Sequence, residues 1–370
     1  MKDISVMICD DSALMRNLIG RIVDEADGLV LAGKAMNGKF LLDKIPRIKP
    51  DIILLDLEMP EMNGIEFLKE RKRLNIDIPV VILSSIAVKG AKVTMEALSL
   101  GASDFILKPS GSISEDIHVI RDRIVATLYA YGKKSVRMTD FSSAGGIQKR
   151  SFVPSKGKTG MDKTMPIPSS IPREKGGNID IVAIGISTGG PNALRRVLVD
   201  IDPDFPVPIV IVQHMPAGFT TEFANSLNRI CPLMVKEVSN GDILSKGRIY
   251  IAPGNFHIEV EKKMLAAIIR TSLADPVNGH RPSVDVLFSS VAKHYGGNSM
   301  AVIMTGMGRD GALEIGTIYA KGGVTVGQDE ESSIVYGMPK VAAERGFIEH
   351  VVSLNDMAAT LNKLVREKRP

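Results

Sequence analysis

The chain has 370 residues, 44% of them hydrophobic and 24% charged, a size that implies two domains with ordinary apolar cores, with or without a linker. Its net charge of +4 is unevenly placed: residues 133–178 hold ten Lys or Arg against three Asp or Glu, an excess of +7, so the remainder carries −3. The basicity belongs to one segment and not to a folded face, so specific nucleic-acid binding is not expected. Two cysteines without a CxxC partner argue against a disulfide framework or a cysteine zinc site. The start, MKDISVMICDDSALM, carries charge too early for a signal peptide, and no apolar run approaches the roughly 18 residues of a membrane span. A soluble, cytoplasmic protein with no membrane insertion is therefore expected.

Residues 1–132 alternate short apolar runs (ISVMICD, VLAGKA, DIILLDL, PVVILSS, DFILKP) with helical patterns such as SALMRNLIGRIVDEA, GIEFLKERKRL and SEDIHVIRDRIVATLYAYG. Five strands alternating with helices predict a doubly wound parallel α/β sheet, with ligands at the carboxyl ends of its strands. Residues 133–178 lose all hydrophobic period and are rich in Ser, Gly, Pro, Thr and Lys, the composition of a flexible linker. Apolar residues in SFVP and MPIPSSIP could dock on a folded neighbour or a partner.

From Ile179 to Pro370 the alternation resumes. Strands are predicted at IDIVAIGI, VPIVIVQ, RIYIAP, MAVIMTG and GVTVGQ, a hairpin at FHIEVEKKMLAAIIR, and helices at 191–200, 218–230, 284–295, 311–321 and 355–367. This is a second α/β domain with a mainly parallel, Rossmann-like sheet.

Charge gathers at three strand ends of the first domain. The first run ends in Asp10 and Asp11, the third in Asp56, and the last in Lys108 and Pro109; Ser84 follows VVIL. Brought to one sheet edge, three carboxylates, a lysine and a hydroxyl suit a hard cation and a phosphoryl group. Each feature also has an ordinary structural reading: Asp-Asp-Ser before ALMRNLI is a good helix N-cap. With LLDLEMPEMNG, the Ser84-Ser85 step and DFILKP, residues 1–130 resemble a flavodoxin-like response-regulator receiver domain. The resemblance implies that Asp56 is the phosphoacceptor, and that Mg²⁺ is held by Asp10, Asp11, Asp56 and the backbone carbonyl of Glu58. It further implies that Lys108 contacts the phosphoryl group, that Ser84 and Phe105 are the switch hydroxyl and aromatic, and that Lys108-Pro109 is a cis peptide.

The second domain offers a different set. Its first strand runs into Gly185-Ile186-Ser187-Thr188-Gly189, a match to the G-x-S-x-G nucleophile turn. Alone, that turn leaves Ser187 as a nucleophile, part of a phosphate-cradling loop, or a cap of the helix near Pro191. The second strand delivers His214, and a later one precedes Asp310 in a glycine-rich turn. A parallel sheet can bring all three into one crevice, where histidine activates serine and a carboxylate orients the histidine. The order Ser, His, Asp disfavours an α/β-hydrolase, whose order is Ser, Asp, His. The turn G-x-x-x-G-G, with no acid at the end of the next strand, disfavours a dinucleotide site.

The stretches GISTGGP, VQHMPAGFTTEFA, IAPGNFHI, GHRPSVDVLFSSVA, MTGMGRDGA and QDEESSIVYGMPKVA make residues 179–370 similar to the catalytic domain of the chemotaxis protein-glutamate methylesterase (CheB) family, and receiver, linker and catalytic domain in that order match its architecture. The resemblance implies Ser187 as nucleophile, His214 as general base and acid, and Asp310 as the residue that orients His214. It also implies backbone around Met307 in the oxyanion hole, Thr188 lining the site, and no cofactor in this domain. The implied substrate is a glutamyl methyl ester on a chemotaxis receptor, with glutamine deamidation as a second activity. A chemotaxis histidine kinase is the implied phosphodonor, and the receiver is expected to pack on the catalytic domain until Asp56 is phosphorylated. Two other readings are a receiver with a DNA-binding output, supported by the basic linker alone, and a hydrolase for another ester or amide. His257 and His280 lie in family-like stretches and shape the cleft or support turns; His118, His294 and His350 have no metal-site spacing.

Overall fold

The structure, a computed structural model, describes residues 3–84, 88–108, 121–132, 173–264 and 266–368. Pro109, Ser85, His118 and both apolar linker stretches lie outside the described residues, and with them the expected cis Lys108-Pro109 bond.

The first unit runs β1 (Ile4–Cys9), α1 (Ala13–Asp24), β2 (Leu29–Ala35), α2 (Gly38–Ile48), β3 (Ile52–Asp56), α3 (Gly64–Arg73), β4 (Val80–Ser84), α4 (Val88–Ser99), β5 (Asp104–Leu107) and α5 (121–132). Its strands pair in the order β2-β1-β3-β4-β5, all parallel. That is the flavodoxin-like order, with its ligand crevice beyond the ends of β1 and β3. β3 and β4 are buried on both faces, so they read as unbroken apolar runs and not as an alternation. Helix starts follow local chemistry: the Ser12 hydroxyl accepts the Met15 N–H at α1, and Asn63 with Glu66 forms a reciprocal capping box at α3.

The second unit contains β6 (Ile181–Ile186), α6 (Gly190–Leu198), β7 (Ile209–Gln213), α7 (Phe219–Asn228), β8 (Met234–Glu237), β9 (Arg248–Ile251), β10 (His257–Lys262), β11 (Ala267–Ser272), α8 (Val284–His294), β12 (Ser299–Ile303), α9 (Glu314–Ala320), β13 (Val324–Gln328), α10 (Met338–Glu344), β14 (His350–Val352) and α11 (Met357–Glu367). Seven parallel strands pair in the order β14-β13-β12-β6-β7-β9-β8. The expected hairpin is β10–β11, antiparallel and outside that sheet. Central β6 has β7 on one side and β12 on the other, so the chain leaves it in both directions. A crevice opens at such a switch point.

Residues 173–178 are bonded to this unit. Arg173 pairs with Glu349 at 2.7 Å, and the Glu174 N–H donates to the Ala320 carbonyl at 2.8 Å. Among the described residues, the hydrogen-bonded part of the second unit therefore reaches back to Arg173, six residues before the first apolar run that the sequence pattern reveals.

The two units touch at β5 of the first and where its α4 packs on α7 of the second. Phe105 stacks on Phe219 of α7, with ring centroids 5.1 Å apart and planes 4° from parallel. Both rings are buried, and one apolar cluster includes residues of both sheets. Asn192 of α6 donates to the carbonyls of Ala102 and Ser103 at 2.8 and 2.9 Å.

Candidate active site

The turn after β6 holds Ser187 by its backbone. Its N–H donates to the Thr305 carbonyl at 3.0 Å, and its carbonyl accepts from the Gly190 N–H at 2.8 Å and from Gln213 Nε2 at 3.1 Å. Thr305 Oγ1 donates to the Thr188 carbonyl at 3.0 Å, tying the turn to the end of β12. Gly189 takes φ +79°, a conformation that glycine adopts without strain. A Cβ on Gly306 would lie 2.8 Å from Ser187 Cβ, so close approach at Ser187 requires glycine there.

His214 follows β7, and its N–H donates to the Ile186 carbonyl at 3.1 Å. Its Nε2 lies 2.8 Å from Asp310 Oδ2, while Nδ1 is buried without a partner among the described residues. The ring thus meets its carboxylate through Nε2, the reverse of the serine-protease arrangement, in which Nδ1 faces the aspartate. Nδ1 is the nitrogen left to take a proton.

Asp310 is 1% exposed and heavily bonded. Beyond His214, it accepts from Ser283 Oγ at 2.7 Å, the Val284 N–H at 2.7 Å, the Asp285 N–H at 3.3 Å and Asn278 Nδ2 at 3.0 Å. It sits at the N-terminus of α8, where the helix dipole favours an anion. Burial alone would raise its pKa, but bonds from His214, Asn278 and Val284 outweigh burial and hold the carboxyl well below its ordinary value. A carboxylate held ionised in this way can fix the tautomer of His214 and stabilise its imidazolium.

In the first unit, oxygens of Asp10, Asp11 and Asp56 lie within 4.8 Å of one another. Lys108 Nζ reaches Asp10 at 2.9 Å and Asp56 at 2.8 Å. Burial pushes the Asp56 carboxyl up, and the bond to Lys108 opposes that shift. An all-oxygen donor set with one half-open side fits Mg²⁺, which takes few protein carboxylates and keeps waters. Asp56 Oδ1 also accepts the Leu57 N–H at 2.8 Å, which aims the carboxylate. The Ser84 hydroxyl lies 2.6 Å from that of Thr94 on α4, linking the end of β4 to the helix beside it.

The two crevices are joined through β5. Asp104 Oδ2 accepts the Gly189 N–H at 2.9 Å, so a carboxylate of the first unit holds the turn that bears Ser187. Asp104 is buried, which raises its pKa against the bonds from Gly189 and Phe105. Phe105, the expected switch aromatic, is the ring stacked on Phe219.

One expectation needs correction. Ser187 does not cap α6: the cap position is Gly189, with no side-chain cap bond, because the glycine turn carries the chain into the helix before a Ser187 hydroxyl could reach its first amides. Met307 is half exposed after β12, and its N–H makes no hydrogen bond among the described residues, whereas that of Gly306 donates to Val335. Thr188 is half-buried beside Ser187. Sequence reasoning missed Thr305, Gln213, Asn278 and Ser283. Only Gln213, a polar residue closing an apolar strand, left a signal. His257 is buried, with Nδ1 accepting the Ser283 N–H at 3.2 Å and Nε2 3.1 Å from the Asp275 carbonyl, a supporting role.

Comparison with known proteins matches the chain to one family. The CheB methylesterase profile matches residues 182–361, and the response regulator receiver domain profile matches residues 6–120. The chain is 55% identical to a protein-glutamate methylesterase/protein-glutamine glutaminase of Treponema denticola, over 99% of this chain and all of the relative. The Treponema pallidum protein of the same name is 48% identical over 98% of this chain and 97% of its own length. The catalytic domain of Thermotoga maritima CheB methylesterase aligns over its whole length with 51% of this chain, at a TM-score of 0.50 and 37% identity. The chain therefore belongs to the CheB family of protein-glutamate methylesterases/protein-glutamine glutaminases, as a hydrolase with an N-terminal receiver domain.

Proposed function

We propose that residues 179–370 hydrolyse glutamyl methyl esters on chemotaxis receptors through Ser187, His214 and Asp310, and that residues 1–132 restrain this activity until Asp56 is phosphorylated. The observation that carries the chemistry is the buried His214–Asp310 pair at 2.8 Å beside the Ser187 turn, with the second ring nitrogen left open. Ser187 Oγ attacks the ester carbonyl while His214 Nδ1 takes its proton, and Asp310 stabilises the imidazolium. The Met307 N–H supports the developing oxyanion, with Thr188 lining the site. His214 then gives the proton to the departing methanol. Water, deprotonated by His214, attacks the acyl-serine; the bond to Ser187 Oγ breaks, His214 returns the proton to that oxygen, and the receptor glutamate leaves with a free carboxylate. Attack on a glutamine side chain runs the same way, with ammonia as the leaving group.

Phosphorylation of Asp56 by a chemotaxis histidine kinase supplies the control. Bound Mg²⁺, held by Asp10, Asp11, Asp56 and the Glu58 carbonyl, would offset phosphate charge. Lys108 engages the phosphoryl group and is drawn from its present place between Asp10 and Asp56. Ser84 turns from Thr94 toward that group, and Phe105 leaves Phe219. The packed arrangement, in which Asp104 and Asn192 tie β5 to the Ser187 turn and α6, loses population. The test is methanol release from methylated receptor by wild type, Ser187→Ala and Asp56→Asn. Loss of turnover in Ser187→Ala and loss of phosphodonor response in Asp56→Asn are expected; turnover in the first variant would refute the triad.

A further inference from the structure

The tight turn Val277–His280 belongs to no part of that scheme, yet it touches two of its three side chains. Val277 and His280 exchange both backbone hydrogen bonds, at 3.1 and 2.9 Å. Asn278 and Gly279 between them take φ +53° and +77°, the two left-handed positions that an Asn-Gly pair accepts most readily. Arg281 anchors the far side, with Nη1 donating to the carbonyls of Leu273 and Ala274 at 2.9 and 3.0 Å. From this fixed turn Asn278 Nδ2 donates to Asp310 at 3.0 Å and to Asp285 at 2.6 Å. The His280 ring lies flat on His214, with centroids 3.8 Å apart and planes 10° from parallel.

We propose that His280 is a positioning residue for the ester hydrolysis: its ring fixes the plane of His214 against Asp310 and stabilises the His214 imidazolium through its face. This inference rests on the triad reading above. The charged groups that act on the stacked pair are Asp310, bonded to His214, and, through space, Arg123 of α5. Burial first, and His214 second, push the pKa of His280 down to about 4, so the ring is neutral where the enzyme works. A neutral aromatic face attracts a cation placed over it. His214 becomes a cation only as it takes the Ser187 proton, so the attraction is greater in the transition state than before it. An interaction of that kind raises kcat and leaves KM alone.

The experiment measures methanol release by the full chain with saturating phosphodonor, for wild type, His280→Gln, His280→Ala, His280→Phe and Ser187→Ala. His280→Gln and His280→Ala should lower kcat by about tenfold, with KM and thermal midpoint unchanged. Phenylalanine keeps an aromatic face, so His280→Phe should recover most of kcat. The acidic limb of the kcat/KM profile should move to lower pH in the Gln and Ala variants and stay in place in the Phe variant. Wild-type kcat in His280→Gln, a Phe variant as slow as the Gln variant, or a loss confined to KM would overturn the proposal. Turnover by Ser187→Ala would instead overturn the triad reading. If His280→Ala does not fold, the Gln and Phe pair decides.

Discussion

Replacing Asn192 by alanine isolates the restraint exerted by the receiver. Asn192 lies on the helix after the Ser187 turn, and its Nδ2 donates to the carbonyls of Ala102 and Ser103. Both acceptors belong to the loop before β5. In the open arrangement water takes over all three groups, so the substitution weakens only the packed one. Two neutral hydrogen bonds at about 1 kcal/mol each amount to about 2 kcal/mol, or about a 30-fold drop in the ratio of packed to open molecules. The assay is the initial rate of methanol release by the unphosphorylated full chain, beside a fragment of residues 173–370 that retains the Arg173 and Glu174 contacts. The full-chain rate should rise up to 30-fold, limited by the phosphorylated rate, and the fragment should not respond. An unchanged full-chain rate would refute the packing argument, as would an equal change in the fragment, which would place the effect within the active site.

Asp310 should make stability depend on pH in a defined direction. Its folded pKa lies below the ordinary carboxylate value of about 3.9, so its contribution is complete above that value and is lost as pH falls through the lower folded pKa. Asp310→Asn should cost about 3 kcal/mol at pH 7, because the new amide donor faces the Val284 N–H and Asn278 donors; the gap between the denaturant midpoints of the two proteins should hold above the ordinary carboxylate value and narrow steadily as pH falls below it. Gly306→Ala would put a Cβ 2.3 Å from Met338 Sδ and 2.8 Å from Ser187 Cβ. Displacement of Ser187 should lower kcat on the order of a hundredfold while circular dichroism shows a folded protein. Lys108→Ala removes the cation between Asp10 and Asp56, and should abolish stimulation by phosphodonor without changing the basal rate. Chelation of Mg²⁺ should do the same to the wild type.

The strand ends were legible because a buried parallel strand is an unbroken apolar run, and the first polar residue after it marks the crevice. Asp10, Ser187 and His214 come directly after β1, β6 and β7, Asp56 closes β3, and Asp310 lies a short turn beyond β12. The short strands β8 and β14 escaped notice because each presents only three or four residues, few of them buried, at a sheet edge. Partners that arrive from distant loops left no pattern. Asn278 reads as a turn residue, and only tertiary packing carries its side chain to Asp310. Asp104 reads as the start of a strand, although its carboxylate crosses to the Gly189 N–H of another domain. Ser187 looked like a helix cap because Pro191 follows closely, but Gly189 in a left-handed conformation takes that place.

The most direct measurement is methanol release from methylated receptor by the full chain, with and without a small-molecule phosphodonor. The account predicts a slow rate that rises on phosphorylation and vanishes in Ser187→Ala under both conditions. Equal rates with and without the donor would contradict the restraint, and a phosphorylation-dependent rate that survives in Ser187→Ala would contradict the nucleophile.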